Sequence, residues 1–336
     1  MKVLVTGGAG FIGSALIKLW LSLDRRVSIV NLDKLTYCGD PSRLESVASS
    51  PRYRFIQGDI CSAKDVERAF EGCAAVVHLA AETHVDRSLL DGRSFFDTNL
   101  YGTYTLLEAA RRRAIGTFLF VSTDEVYGSR AKGFFTEKDL LAPTSPYSVS
   151  KAAADLLALS YARAHKMHVV VTRGCNTFGP YQYPEKVIPL FVSNALADEE
   201  LPLYGDGLQV RNWLHVDDHA RAILAAFNKG KAGEVYNIAA TTYLTNIDLT
   251  RRILRILGKP ESLIRKVKDR VGHDRRYAMD ARKLRALGWR EKEDFNTALR
   301  GTVEWYRANA AWWKAIKEKS KDFREYYSKA YAGRLK

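Results

Sequence analysis

The sequence predicts an α/β protein: a doubly wound parallel sheet with a smaller, mostly helical second domain. Three observations lead there. Apolar strand-like runs at 2–6, 27–32, 53–57, 74–79, 117–121 and 168–172 alternate with helical stretches, the pattern of parallel βαβ units. The first run passes directly into Thr6-Gly7-Gly8-Ala9-Gly10-Phe11-Ile12-Gly13, glycines set between a strand and a helix that runs to about Leu23. From Pro180 onward strands thin out, prolines recur at 184, 189 and 202, and helices dominate. The division expected is 1–174 for a Rossmann-type dinucleotide-binding domain that also carries catalytic residues. Residues 175–330 form the substrate-binding domain, with chain excursions between the two.

At 336 residues the chain is long enough for a sizeable core. No apolar run approaches the ~18 residues of a membrane span. Met1-Lys2 leads straight into the first strand, too short a preface for a signal peptide, so a cytoplasmic location is expected. The four cysteines, Cys38, Cys61, Cys73 and Cys175, are scattered without a C-x-x-C pair, which argues for reduced thiols and against a zinc site or disulfide framework. The net charge of +14 raises the question of nucleic acid. The basic residues are dispersed, however, and no basic stripe is interleaved with stacking aromatics. A solvated basic surface or an anionic small substrate accounts for the charge.

In the first βα unit, glycines at 7, 10 and 13 permit a tight turn, close approach of backbone N–H groups to a pyrophosphate and close helix packing. The second strand ends at Asp33, twenty residues after Gly13. An acid there bonds both ribose hydroxyls and repels a 2′-phosphate, selecting NAD over NADP; neighbouring Lys34 is the residue that would soften this preference. Asp59, after the third strand, either faces the adenine or caps the next helix. Small residues after the fourth strand let a flat ring approach the backbone. The stretch 86–113 reads as helical, with Asn99 as a polar residue among apolar neighbours, its duty either structural or catalytic. The end of the chain, 302–336, alternates aromatics and charges and reads as an amphipathic helix packed on the body with a basic outer face.

The fifth strand, Phe118-Leu119-Phe120-Val121, ends in Ser122-Thr123-Asp124-Glu125. Two carboxylates at a buried strand end are costly, and that end is where open α/β sheets hold ligands. Tyr147 and Lys151 follow, four apart and so on one helix face. A lysine ammonium beside a tyrosine lowers the phenol pKa, so such a tyrosine accepts a hydroxyl proton as a dinucleotide takes the hydride. Alcohol oxidation alone needs no acid pair. Once a sugar hydroxyl is a ketone, the adjacent C–H is acidic; one carboxylate removes that proton and the other protonates a departing β-hydroxyl. Adjacent acids split their pKa values, which suits one base and one acid.

The glycine loop and Tyr147-x-x-x-Lys151 resemble the extended short-chain dehydrogenase/reductase superfamily. Thr123-Asp124-Glu125 is more specific, and resembles the dTDP-glucose 4,6-dehydratases within it; related epimerases usually carry Ser or Thr there without the acid pair. Further similar segments are 33–37, 80–88, 179–186 and 272–277. The resemblance implies C4 oxidation by Tyr147 and NAD, C5 proton removal by Glu125, protonation of the C6 hydroxyl by Asp124 and hydride return to C6, with Thr123 on the C4 oxygen. It implies cofactor contacts from Gly7, Gly10, Phe11, Ile12, Gly13, Asp33, Lys34, Thr36, Asp59, Ile60, Leu79, Ala80, Ala81, Thr98, Tyr147 and Lys151. The sugar nucleotide falls to Thr83, Thr123, Asn176, Lys186, Val187, Pro202, Tyr204, Arg211, Asn246, Arg270 and His273. Arg211 also suits a diphosphate on charge grounds. A homodimer through helices near 96–113 and 147–164 is implied as well, with neither membrane nor nucleic acid as partner.

The chain departs from the family pattern at Thr177, where Asn is usual, at Thr83, where Ser is common, and at Val271, a usual Pro. The alternatives are a 4,6-dehydratase for UDP-glucose or another nucleotide-glucose, a nucleotide-sugar 4-epimerase, and a basic NAD-binding regulator without catalysis. The acid pair argues against the last two.

Overall fold

β1 (Lys2–Thr6) lies at the centre of the main sheet, with β2 (Ser28–Asp33) on one side and β4 (Ala75–His78) on the other. The computed structural model describes residues 1–331. β3 (Tyr53–Gln57) extends the sheet beyond β2; β5 (Thr117–Thr123) and β6 (Val169–Gly174) extend it beyond β4. Val3, Leu4 and Val5 are fully buried, as expected of a strand covered on both faces. Each such side chain contributes roughly 1.5–3 kcal/mol relative to exposure. All the pairings are parallel: Val3 sits opposite Ile29 and Ala75, and Thr123 opposite Gly174. The C-terminal strand ends therefore share one edge, and the acid pair leaves the sheet beside the end of β6.

A seventh parallel strand, β10 (Glu234–Ile238), pairs with β6 and closes the sheet in the order β10-β6-β5-β4-β1-β2-β3. It comes from the half of the chain expected to be the second domain. The helix Val216–Lys229 likewise joins Trp20 in the same apolar core, where Trp20 and Phe227 meet edge to face at 4.8 Å. The later segment thus crosses back to complete the dinucleotide-binding layer. The second lobe holds β7 (Asn176–Phe178), β9 (Val210–His215) and β11 (Tyr243–Thr245) in one small sheet and β8 (Leu201–Tyr204) with β12 (Ile264–Val267) in another. Its own core contains Phe191, Trp213, Leu299 and Tyr306.

The helix Pro146–His165 carries the Tyr and Lys. It starts where expected because Ser145 caps it, accepting from Ser148 N at 3.1 Å, with Pro146 in the first turn. It stops at Lys166 in the left-handed region, φ 57°. Tyr147, Lys151 and Asp155 fall at i, i+4 and i+8 and are all buried. The stretch expected as one helix from 86 to 113 is broken: Val85–Leu90, then Arg93–Phe95, a π-helical segment Phe96–Gly102, and Thr103–Arg112. Asn99 lies inside the π segment. Its Oδ1 accepts from Glu82 N at 2.8 Å, and its Nδ2 donates to Glu82 O at 3.0 Å and Ser150 Oγ at 2.9 Å. Its hydrogen-bonding capacity is spent on tying the loop after β4 to the helix Pro146–His165, a structural duty.

The amphipathic end is three helices, Phe295–Ala308, Ala310–Lys319 and Lys321–Tyr331, because Asn309 and Ser320 interrupt the pattern; positions 332–336 of that stretch lie outside the described residues. Among the described residues all four cysteines are free, and no helix is long and apolar enough to cross a membrane.

Candidate active site

A single cleft runs along the C-terminal edge of the sheet, between the two lobes. At one end is the glycine loop. Gly7 has φ +71°, and a Cβ there would lie 2.6 Å from Ala80 N; a Cβ on Gly13 would lie 2.3 Å from Gly7 O. Only glycine allows the backbone to crowd this closely, which leaves the start of the helix Phe11–Leu23 open to the cleft. Asp33 ends β2 with Oδ2 accepting from Ala9 N and Oδ1 from Leu35 N, both at 2.9 Å. Burial raises its pKa, while these two amides and the charge of Arg43 oppose the rise. Lys34 pairs with Asp59 at 2.7 Å. Asp59 also accepts from Cys61 N at 2.9 Å, whereas Ser62 caps the following helix; of the two duties considered for Asp59, direct capping is not the one it has.

The sixteen positions expected to contact the cofactor, from Gly7, Gly10, Phe11, Ile12 and Gly13 through Asp33, Lys34, Thr36, Asp59, Ile60, Leu79, Ala80, Ala81 and Thr98 to Tyr147 and Lys151, all line this cleft. Thr123, Asp124 and Glu125 line it as well, and so do Thr83, Asn176 and Lys186, three of the positions expected to contact the sugar nucleotide.

The acid pair is electrostatically split. Asp124 is 4% exposed. Its Oδ1 accepts from Thr123 Oγ1 at 3.2 Å, and its Oδ2 is buried without a protein partner. Burial, then the charge of Glu125, push its carboxyl up to about 8. Glu125 is also raised by burial, but Arg270, Lys186 and Arg211 hold it down. At neutral pH Asp124 is thus protonated, beside a Glu125 whose rise by burial the nearby cations oppose.

Tyr147 is buried; burial and then the charge of Glu125 raise its phenol above the ordinary value, against a hydrogen bond with Thr123. The lowering expected from Lys151 is not what the geometry delivers. Lys151 Nζ donates to the backbone carbonyl of Val121 at 2.7 Å, and burial drops its pKa to about 7, so its charge is largely unavailable at the alkaline side. Beneath the site, Asp155 forks onto Arg173 at 2.8 and 2.9 Å, and Arg173 donates to Tyr127 at 2.8 Å.

The rest of the substrate-side group does not line this cleft. Val187 opens the helix Val187–Leu196, Pro202 and Tyr204 lie in β8, and Asn246 opens the helix Asn246–Leu257. Tyr204 donates to Asp86 at 2.7 Å, Arg270 pairs with Asp86 at 3.1 Å, and His273 pairs with Asp269 at 2.6 Å. Arg211 and Arg270 nevertheless act on Glu125 through their charge, so the second lobe presents cations toward the acids.

Residues not singled out as site residues also line the cleft: Glu82, Ser122, Cys175, Gln182, Glu185 and His219. His219 Nδ1 lies 2.6 Å from Thr177 Oγ1, and its ring packs where a Cβ on Gly174 would sit. Thr177 thus keeps a polar contact at the position that departs from the family pattern. Glu185 sits beside Lys186 in one of the similar segments and was legible there; His219 comes from the returning helix and had no sequence signal.

The comparisons agree with this geometry. Residues 4–302 match the family described as GDP-mannose 4,6 dehydratase. The dTDP-glucose 4,6-dehydratase of Streptomyces niveus is 49% identical, the alignment covering 94% of this chain and 96% of that protein. Escherichia coli dTDP-glucose 4,6-dehydratase 1 is 44% identical, with 99% and 100% covered. Among solved structures, DesIV, the Streptomyces venezuelae dTDP-glucose 4,6-dehydratase with NAD and TYD bound, superimposes with a TM-score of 0.92 at 48% identity, over 94% of this chain and all of that one. The Thermus thermophilus UDP-glucose 4-epimerase complex with NAD gives 0.85 at 31%, over 92% of this chain and all of that one. The identity is higher toward the dehydratases, in keeping with the acid pair, and this chain belongs to the dTDP-glucose 4,6-dehydratase family of the extended short-chain dehydrogenase/reductase superfamily.

Proposed function

We propose that the protein converts dTDP-glucose to dTDP-4-keto-6-deoxyglucose as an NAD-dependent hydro-lyase, by C4 oxidation, loss of water across C5 and C6, and hydride return to C6. The observation that carries this is the split acid pair, Asp124 protonated to about 8 beside Glu125, in one cleft with Tyr147. The residues fit a dinucleotide: Gly7 and Gly13 leave a cradle that a Cβ would fill, and Asp33 stands at the end of β2. An acid in that place favours a free ribose diol over a 2′-phosphate. NAD, when bound, supplies the hydride acceptor and returns the hydride.

The chain's own groups do the proton work. Tyr147 takes the C4 hydroxyl proton as the phenolate, a form that burial and the charge of Glu125 disfavour and that the positive charge of a bound NAD would favour, with Thr123 as hydrogen-bond partner to the same oxygen. Glu125 takes the C5 proton once C4 is a ketone, and Asp124 delivers its proton to the departing C6 hydroxyl. Arg211, Arg270 and Lys186 supply positive charge for the diphosphate side and oppose the rise that burial imposes on Glu125. Asn176, Thr83, Asn246, Val187, Pro202, Tyr204 and His273 complete the substrate-side assignment, which family membership supports.

A homodimer through the helices around 96–113 and 147–164 is part of the proposal; exposed Phe96, Tyr101, Tyr104 and Leu156 on those segments support it. So is a cytoplasmic location, where nucleotide sugars and NAD are at hand. The division into a 1–174 cofactor domain and a 175–330 sugar-nucleotide domain is proposed with β10 and the helix Val216–Lys229 counted as returns to the first.

The test is incubation of the purified protein with dTDP-glucose, following the alkaline ultraviolet absorbance of a 4-keto-6-deoxy sugar. Parallel arms use UDP-glucose and GDP-mannose. Product from dTDP-glucose is expected; product only from another arm moves the substrate, and interconversion with the 4-epimer without dehydration overturns the assignment.

A further inference from the structure

Several segments around the cleft converge on one guanidinium outside it. Arg87 Nε donates to Glu185 at 3.0 Å, and its two terminal nitrogens fork onto Asp322 at 3.1 and 2.7 Å. The rings of Tyr37 and Tyr326 flank it, 4.0 and 4.5 Å from the guanidinium carbon. Tyr37 donates to the other oxygen of Glu185 at 2.7 Å. The adjacent Asp86 holds Arg270. Lys186, adjoining Glu185, donates to Thr83 O at 2.9 Å. Asp322 and Tyr326 belong to the helix Lys321–Tyr331, beyond residue 302, where the family match ends.

We propose that this last helix is a clamp: acting through Arg87, it positions Glu185, Lys186 and Arg270 against the substrate end of the cleft. Arg87 and Asp322 are positioning residues, since neither lines the cleft. Glu185 is 2% exposed, so its charge depends on Arg87 and Tyr37 for compensation. Arg87 in turn is aligned by the fork onto Asp322, because a bidentate pair fixes the guanidinium plane as well as its position. Asp322 is 44% exposed, so removing its charge releases the fork that orients Arg87 without stranding a buried group at position 322.

The consequence for catalysis rests on the function proposed above; the mechanical part does not. The experiment compares full-length wild type with Asp322→Asn, Asp322→Glu and Tyr326→Leu. In Asp322→Asn, amide hydrogen exchange in 83–90 and 183–188 is expected to rise about ten-fold while the central strands are unchanged. KM for dTDP-glucose is expected to rise about five-fold with kcat within about two-fold, and Asp322→Glu restores both. Tyr326→Leu, which removes the ring over Arg87 and keeps the ion pair, gives the same local exchange signature. Unchanged exchange in both variants, or a rise spread evenly over the chain, overturns the clamp whatever the substrate. Local loosening with an unaltered KM overturns its role in positioning. A wild type that does not turn over dTDP-glucose rejects the function instead, and the exchange data still decide the clamp.

Discussion

Lys151 Nζ donates to the carbonyl of Val121 at 2.7 Å, two residues before Thr123, and lies 4.2 Å from the centre of the Phe120 ring. The helix Pro146–His165 is thereby tied to the strand that ends at the acid pair. Burial lowers Lys151 to about 7, with Asp155 opposing, so the ammonium is present below that pH and lost above it. Lys151→Met should lower kcat by about a hundred-fold at pH 6, with the deficit shrinking toward pH 9. PH–rate profiles of the two proteins check this; a constant ratio across the range contradicts a charge-dependent role.

Asp124 has the opposite sign. Its folded-state pKa of about 8 lies above the ordinary 3.8. As the proposed general acid it therefore holds its proton at neutral pH, and turnover should fall as pH rises through about 8. The linked stability is fully present below pH 3.8 and is lost as pH rises to about 8. Asp124→Asn cannot ionise. It should lose about 10²–10⁴-fold in kcat, match wild type in Tm at pH 4, and exceed it at pH 9. Thermal melts at the two pH values decide the second half.

Glu125→Gln keeps the shape of the base and removes its proton affinity. Dehydration should drop by about 10²–10⁴-fold, while oxidation at C4 survives in a single turnover, visible as the transient absorbance of the reduced nicotinamide. Full dehydration in this variant would assign the C5 proton to another group.

Arg173 and Asp155, 3% and 0% exposed, form a buried pair beneath the site. Breaking such a pair by removing one partner strands the other charge, at about 3–5 kcal/mol. Arg173→Met should shift the urea midpoint accordingly, with the slope unchanged; a loss below about 1 kcal/mol would contradict a stabilising role for the pair.

Asp33 is the residue proposed to carry the cofactor choice. Wild type should bind NAD in preference to NADP, because a phosphate beside a buried carboxylate sets like charges together at a cost of several kcal/mol. Asp33→Ser should narrow the ratio by about ten-fold or more, read by titration of each dinucleotide; an unaltered ratio would place the discrimination elsewhere, with Lys34 and Arg43 the nearest cations.

Much of this was legible before any coordinates. The strand–helix alternation, the glycines at 7, 10 and 13, Asp33, the acid pair and the Tyr147–Lys151 spacing are local signals, and each depends on neighbours a few residues away. The sequence by itself determined the sheet class, the place of the cleft and the residue types that line it. It did not determine which half of the chain completes the sheet, because the pairing of β10 with β6 joins residues some sixty positions apart and leaves no periodic trace. It read 86–113 as one helix because hydrophobic spacing does not register the π segment that brings Asn99 to Glu82 and Ser150. It placed Lys151 beside Tyr147 by helical spacing, and only the packed structure showed that burial takes the lysine down to about 7 and Asp124 up to about 8. Spacing sets which side chains share a face. Desolvation, which sets their protonation, is a property of everything packed around them, and that is decided only when the chain is folded.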